Sequence, residues 1–171
     1  MKSIKITGTG SSIPEKVKPN VRFSSNSFFD DAGSKIENPN EEIIDKFQAI
    51  TGIDQRRYIR DDQTVSDIAL DAAQKAIADA TLDPETLDYI IFAHNVGDIA
   101  LNSNQVNTLP SLASKLKAGL KIVNPECVAY DILFGCPGWV EGVIQAKAFI
   151  KAGMAKKCLV IGADTLSRVL D

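Results

Sequence analysis

The chain has 171 residues with an apolar share of 44%, the size and composition of one globular domain or of one large lobe of something bigger. Its 19 Lys and Arg against 22 Asp and Glu leave a net charge of −3, with no basic block to suggest nucleic acid and no acidic tail. No apolar run approaches a membrane span, the N-terminus lacks the apolar core of a signal peptide, and Cys127, Cys136 and Cys158 show no metal-ligand spacing, so they read as free thiols of a reducing cytosol.

In chain order, Ser3 to Gly8 alternates like a strand and runs into the loop Gly8-Thr9-Gly10-Ser11-Ser12. From Pro14 to Asn40 the pattern is weak and rich in Asn, Ser, Asp and Pro. Phe23, Phe28 and Phe29 suggest that this excursion packs rather than floats, and residues from about 23 to 40 read as an irregular insertion near the substrate entrance. Asn40, Glu41 and Glu42 open a helix whose apolar face is Ile43, Ile44, Phe47 and Ile50, and Thr51-Gly52 ends it. Thr64 caps the clearest amphipathic helix, from Val65 to Ala80, with Ile68, Ala72, Ala76 and Ala80 on one face.

Leu87 to Ala93 reads as a buried strand, and the Asn-rich loop Gly97 to Asn107 leads to a helix opened by Pro110 and Ser111. Then follow a strand from Cys127 to Leu133, a helix from Pro137 to Ala152 closed by Gly153, and a strand from Lys157 to Ala163. Strands alternating with helices make an α/β fold with a mostly parallel sheet. In the helix after Pro137, Gly138, Gly142 and Ala146 form a stripe of small residues that lets backbones approach closely. Such a helix is central, Glu141 and Gln145 need internal partners, and the stripe has no obvious complement in the chain, so a second half or another copy is expected to cover it.

The chemistry concentrates at Cys136. The strand ends in Leu133-Phe134, the chain turns through Gly135-Cys136-Pro137-Gly138, and the long helix begins. A thiol there meets the unpaired backbone N–H groups and positive dipole end of a helix, which favour the reactive thiolate. A carbonyl substrate would meet backbone donors at the same place, so Cys136 reads as a nucleophile for acyl transfer. Cys127 and Cys158 sit in strand patterns and read as small buried hydrophobes. His94 stands at a strand's carboxyl end but reads as a hydrogen-bonded structural histidine. Gly8-Thr9-Gly10-Ser11 lacks the third glycine of a dinucleotide fingerprint and reads as a turn. Arg56-Arg57 and the lysines at 147, 151, 156 and 157 read as solvated surface charge.

These residues together resemble the first half of a β-ketoacyl-acyl-carrier-protein synthase III. Ile6-Thr7-Gly8-Thr9-Gly10-Ser11 with Pro14, then Thr51-Gly52-Ile53 with Arg56-Arg57, is similar to the family's opening. Phe134-Gly135-Cys136-Pro137-Gly138-Trp139 resembles its nucleophile motif, commonly Ala-Ala-Cys-Ala-Gly-Phe, with Pro137 and Trp139 suggesting a divergent branch. Lys151-Ala152-Gly153 and Val160-Ile161-Gly162-Ala163-Asp164 to Arg168 resemble the segments that follow. The resemblance implies a thiolase-like layered fold of two similar halves, with residues 1–171 as the N-terminal half, the C-terminal half absent, and a homodimer in the cytoplasm.

The resemblance also implies roles. Cys136 is the acylated nucleophile, and its N–H forms part of the oxyanion hole. Leu109 falls at the gate of the acyl pocket, and Arg168 where an arginine contacts the coenzyme A nucleotide. Ile43 stands where the family often has a Trp that stacks on adenine. Substrates would be acyl-coenzyme A or acyl-carrier-protein thioesters, with no cofactor, no metal, no nucleic acid and no membrane. The family's catalytic His and Asn belong to the other half, which leaves this chain alone inactive. The implied activity is condensation by decarboxylation of a malonyl thioester, as in fatty-acid or polyketide-type biosynthesis. Acyl transfer without decarboxylation on the same fold, and a redox-sensing or non-catalytic module, are the other readings.

Overall fold

The computed structural model describes residues 3–169. They fall into two compact units, one of Pro14–Arg60 and one made of the rest.

In the smaller unit, β1 (Lys16–Pro19) runs antiparallel to β2 (Gln55–Tyr58). This ladder was not visible in the sequence, because both strands are short and charged. Lys18 lies opposite Arg56, and like charges directly opposite repel. The Phe23 ring offsets this by taking both cations, with Lys18 Nζ 4.6 Å and the Arg56 guanidinium 5.4 Å from its centroid. Arg56 also donates to the Asn20 side-chain oxygen. The helix α1 (Asn40–Thr51) carries Glu41 and Glu42 in its first turn and ends at Gly52, whose φ of 67° is the left-handed cap. Ile43 is buried, but Phe47 and Ile50 on the same helix are exposed. Residues 24–39 hold no helix or strand beyond a bridge between Phe29 and Lys35, and Phe29 points outward.

The larger unit begins with an extended segment. Ser3 to Gly8 joins no ladder, contrary to its alternating pattern. The stretch from Gly8 to Gly10 lies instead against α2 (Val65–Asp79), where Thr9 N–H donates to the Asp79 carboxylate at 2.8 Å. A Cβ on Gly8 or Gly10 would strike the backbone of α2 at Ala72, Ala76 and Ala80, so the two glycines serve this close approach. At the other end of α2, Thr64 and Asp67 form a reciprocal capping box.

Next come β3 (Tyr89–His94), α3 (Leu112–Gly119), β4 (Val128–Leu133), α4 (Gly138–Ala152) and β5 (Cys158–Gly162). The sheet order is β4-β3-β5, all parallel, with Ile90 opposite both Ala129 and Leu159. β3 is central and, from Ile90 on, buried throughout, which is why it reads as a continuous apolar run rather than an alternating one. Its faces still alternate. Ile90 and Phe92 join Val65, Ala69 and Ala73 of α2 and Leu112 and Leu116 of α3 in one core. Ile91 and Ala93 face α4.

The packing of α4 corrects one expectation. Gly138, Gly142 and Ala146 are buried against this chain's own sheet. A Cβ on Gly142 would stand 2.7 Å from Val160 Cγ1 and 3.5 Å from Ile91, and one on Gly138 would stand 3.0 Å from the Ala93 Cβ. The stripe therefore has its complement in β3 and β5, and the face left exposed is the opposite one, with Val140 and Ile144. Glu141 and Gln145 do find internal partners: Tyr130 donates to Gln145 at 2.7 Å, and Gln145 donates to Glu141 at 3.1 Å.

Alanine gains about 1 kcal/mol over glycine inside a helix, whereas forcing extra methylenes into a packed core costs about 1–3 kcal/mol. Gly142→Ala is therefore expected to destabilise on balance, and Gly142→Val more strongly, each seen as a lower midpoint in urea unfolding. An unchanged midpoint for Gly142→Val would show that α4 does not pack this closely.

Candidate active site

The carboxyl ends of the three parallel strands are tied together. Phe134 N–H donates to the His94 carbonyl and Ala163 N–H to the Ala93 carbonyl, each at 3.2 Å. Asn95 donates its backbone N–H and its side-chain amide to the two oxygens of Asp164, at 2.9 and 2.7 Å. The segments after β3, β4 and β5 thus form one connected rim at the end of an α/β sheet where ligands bind.

Cys136 lies on that rim. Gly138 N–H donates to the Gly135 carbonyl at 2.8 Å, which closes the tight turn, and Pro137 stands at the N-cap of α4. The Cys136 thiol is exposed and lines a cavity of about 220 Å³. Phe134, Trp139 and Asp164 make its bulky and polar walls, and Ala93, Gly162 and Ala163 its small ones. A Cβ on Gly162 would come 2.8 Å from the Trp139 Cβ, so that glycine lets the indole sit at the rim. A thiol, a helix N-terminus and a cavity therefore coincide, as acyl transfer to sulfur requires.

The other site residues from the sequence lie elsewhere. Leu109, followed by a cis peptide bond to Pro110, is 86% exposed, and Arg168 ends a short 3-10 turn. The Arg168 guanidinium donates long hydrogen bonds to the carbonyls of Asp61 and Gln63, at 3.5 and 3.4 Å. Neither Leu109 nor Arg168 lines the Cys136 cavity. Asn95 and Asp164 were not singled out from the sequence, although each follows a strand end, the same signal that marks His94.

Beneath the rim, His94 is buried and its Nε2 lies 3.1 Å from Asp131 Oδ2, in keeping with a hydrogen-bonded histidine. Asp131 also accepts the N–H groups of Leu112 and Ala113, both at 2.8 Å, at the start of α3. Burial pushes the Asp131 carboxyl up, but His94 and the two amides outweigh it and hold the pKa below the ordinary carboxylate value. Asp98 repeats this at α2: burial raises it, and the Ser66 hydroxyl and N–H with Lys115 bring it below the usual range. Burial raises the Cys127 thiol, and burial together with Asp88 pushes Cys158 up to about 11.

Comparison with known proteins bears on this geometry. The family model for 3-oxoacyl-[acyl-carrier-protein] synthase III matches residues 130–171, the stretch holding most of β4, Cys136 and α4. The chain is 37% identical over 166 residues to the β-ketoacyl-[acyl-carrier-protein] synthase III of Paracoccus denitrificans, covering 97% of this chain and 44% of that protein. Its namesake in Neisseria gonorrhoeae is 36% identical over 171 residues, 100% of this chain and 47% of that protein. The chain is similar over nearly its whole length to these β-ketoacyl-acyl-carrier-protein synthases III. The 3-oxoacyl-[acyl-carrier-protein] synthase III of Aquifex aeolicus superposes with a TM-score of 0.73 at 33% identity, over 98% of this chain and 46% of that one. The synthase III of Pseudomonas aeruginosa gives 0.74 at 29%, over 96% and 43%. The α/β architecture is therefore the synthase III one, and the chain spans under half the length of the relatives it matches.

Two outcomes follow from the site. Cys136 is exposed while burial raises the other two thiols, so limiting iodoacetamide near neutral pH is expected to label Cys136 first, as read by peptide mapping. Faster labelling of Cys127 or Cys158 in folded protein would remove the nucleophile assignment. The folded pKa values of Asp98 and Asp131 lie below their unfolded ones. Their contribution is then complete above about pH 4 and is lost as pH falls through the folded values. Urea unfolding across this range should show stability falling with acid, and Asp98→Asn should flatten the slope.

Proposed function

We propose that this chain is the N-terminal half of a condensing enzyme of the synthase III type, with Cys136 as the acylated nucleophile. The observation that carries the reading is the placement of an exposed thiol on the turn before α4, facing a cavity at the strand ends. The likeness to synthases III over nearly the whole chain supports it.

The thiolate of Cys136 attacks the carbonyl carbon of an acyl thioester, and the carrier thiol leaves. Backbone N–H groups at the start of α4 offer the donors that the tetrahedral oxyanion needs. A malonyl thioester then loses carbon dioxide, and the resulting carbanion attacks the acyl group on sulfur. The β-ketoacyl thioester departs and the Cys136 thiolate is restored. The other half supplies the His and Asn that assist decarboxylation, so the 171-residue chain by itself does not condense. Leu109 gates the acyl pocket and Arg168 contacts the coenzyme A nucleotide. Ile43 is buried, so adenine finds no stacking partner there, and acyl-carrier protein remains a donor beside acyl-coenzyme A. The whole protein works as a cytoplasmic homodimer, without bound cofactor, nucleic acid or membrane. Among the described residues no helix is long and apolar enough to cross a membrane.

Incubation of the intact protein with an acyl thioester is expected to add one acyl mass, mapped to Cys136. Cys136→Ser should lose the adduct and the condensation product together, since a hydroxyl there lacks thiolate character. Acylation persisting in Cys136→Ser would overturn the assignment. Condensation by the isolated 171-residue chain, at rates typical of intact enzymes, would overturn the division of labour between halves.

A further inference from the structure

His94 is a buried group that the chemistry above does not use. The residue is 1% exposed, and Nδ1 has no hydrogen-bond partner among the described residues. Asp131 meets three donors: Ala113 N–H on Oδ1, and Leu112 N–H with His94 Nε2 on Oδ2. A carboxylate so placed is an acceptor, which makes Nε2 the donor in this pair. The same histidine acts through its backbone, because its carbonyl takes the N–H of Phe134, two residues before Cys136. One residue thus touches β4 at Asp131 by its side chain and, just past the strand's end, Phe134 by its carbonyl. Through Asp131 it reaches the first turn of α3, three residues beyond Leu109.

We propose that His94 and Asp131 are positioning residues for Cys136: a buried imidazole and a half-buried carboxylate that fix the end of β4, and with it the nucleophile's turn, against the first turn of α3. The proposal rests on the reading of Cys136 as the nucleophile. Two direct amides already hold Asp131 to α3. The histidine adds the link from that capped carboxylate to the central strand, so three segments share one reference point. Displacing a reacting group by an ångström costs up to about a hundredfold in rate, and a turn that loses one of the buried donors behind it is open to such displacement. Neither side chain touches the cavity, so both act through the backbone they hold.

The test uses the intact protein with His94→Leu, which removes the donor, and His94→Gln, whose Nε2 can still donate to Asp131. Acylation of Cys136 is followed by rapid quench and intact mass, with thermal unfolding alongside. His94→Leu is expected to stay folded and to acylate roughly tenfold to a hundredfold more slowly, with faster amide exchange at Leu112 and Ala113. His94→Gln is expected to recover most of the rate, which a merely space-filling role would not produce. A folded His94→Leu acylating at the wild-type rate, or His94→Gln no faster than His94→Leu, would overturn the proposal. If His94→Leu does not fold, nitrogen-15 spectra of the wild-type imidazole decide: a proton on Nε2 supports the pair, and one on Nδ1 overturns it. Should the wild-type protein take up no acyl group, the nucleophile reading fails on its own. The imidazole proton and the Leu112 and Ala113 exchange in His94→Leu then judge the pair, and unchanged exchange sinks it.

Discussion

The close approach of α4 to the sheet is the constraint on which the site depends. Gly138 and Gly142 present no side chain where Ala93, Ile91 and Val160 stand, and Ala146 continues the same buried line. Any larger residue on that line would lift the helix off the strands. Because the helix lies flat on β3 and β5, its N-terminus falls at the strands' carboxyl ends. Phe134 to Pro137 then joins the strand end to the helix start, and Cys136 is carried to the rim by both.

The rim itself is held by polar bonds, in contrast to the apolar core beneath. His94 and Asn95, at the end of the central strand, reach Phe134 and Asp131 on one side and Asp164 on the other. Buried and half-buried carboxylates cost desolvation unless several donors meet them. Asp131 and Asp98 each meet three or more, and each takes an N–H at the start of a helix. The same bonds that depress these pKa values also fix where α2 and α3 begin. Stability and site geometry therefore draw on the same groups.

The apolar surface that remains is not the surface the sequence suggested. With the glycine stripe turned inward, Val140 and Ile144 of α4 and Leu133 at the end of β4 are exposed together with Phe134 and Trp139. Large apolar groups left outside a core are unusual in this number on one unit. They stand on the elements that also carry Cys136, which is where the proposed second half would have to reach to supply its His and Asn.

Much of this was legible in the chain alone. The long-period helices, the caps at Thr64, Ser111, Gly52 and Gly153, and the apolar strand at 87–93 follow from local preference and from burial on both faces of a parallel sheet. The thiol at a strand-to-helix turn was equally local, and so was the likeness to synthases III. What local pattern could not decide was which surface answers which. The alternation of Ser3 to Gly8 looks like a strand, yet its glycines are matched to α2. The charged strands β1 and β2 look like loops, because pairing and the Phe23 ring, not hydropathy, make them strands. A stripe of small residues says that something comes close, but only the sheet's own side chains say what. Composition and periodicity set what each segment can become, and contacts between residues far apart in sequence, as between Gly142 and Ile91 or His94 and Asp131, decide where it lies.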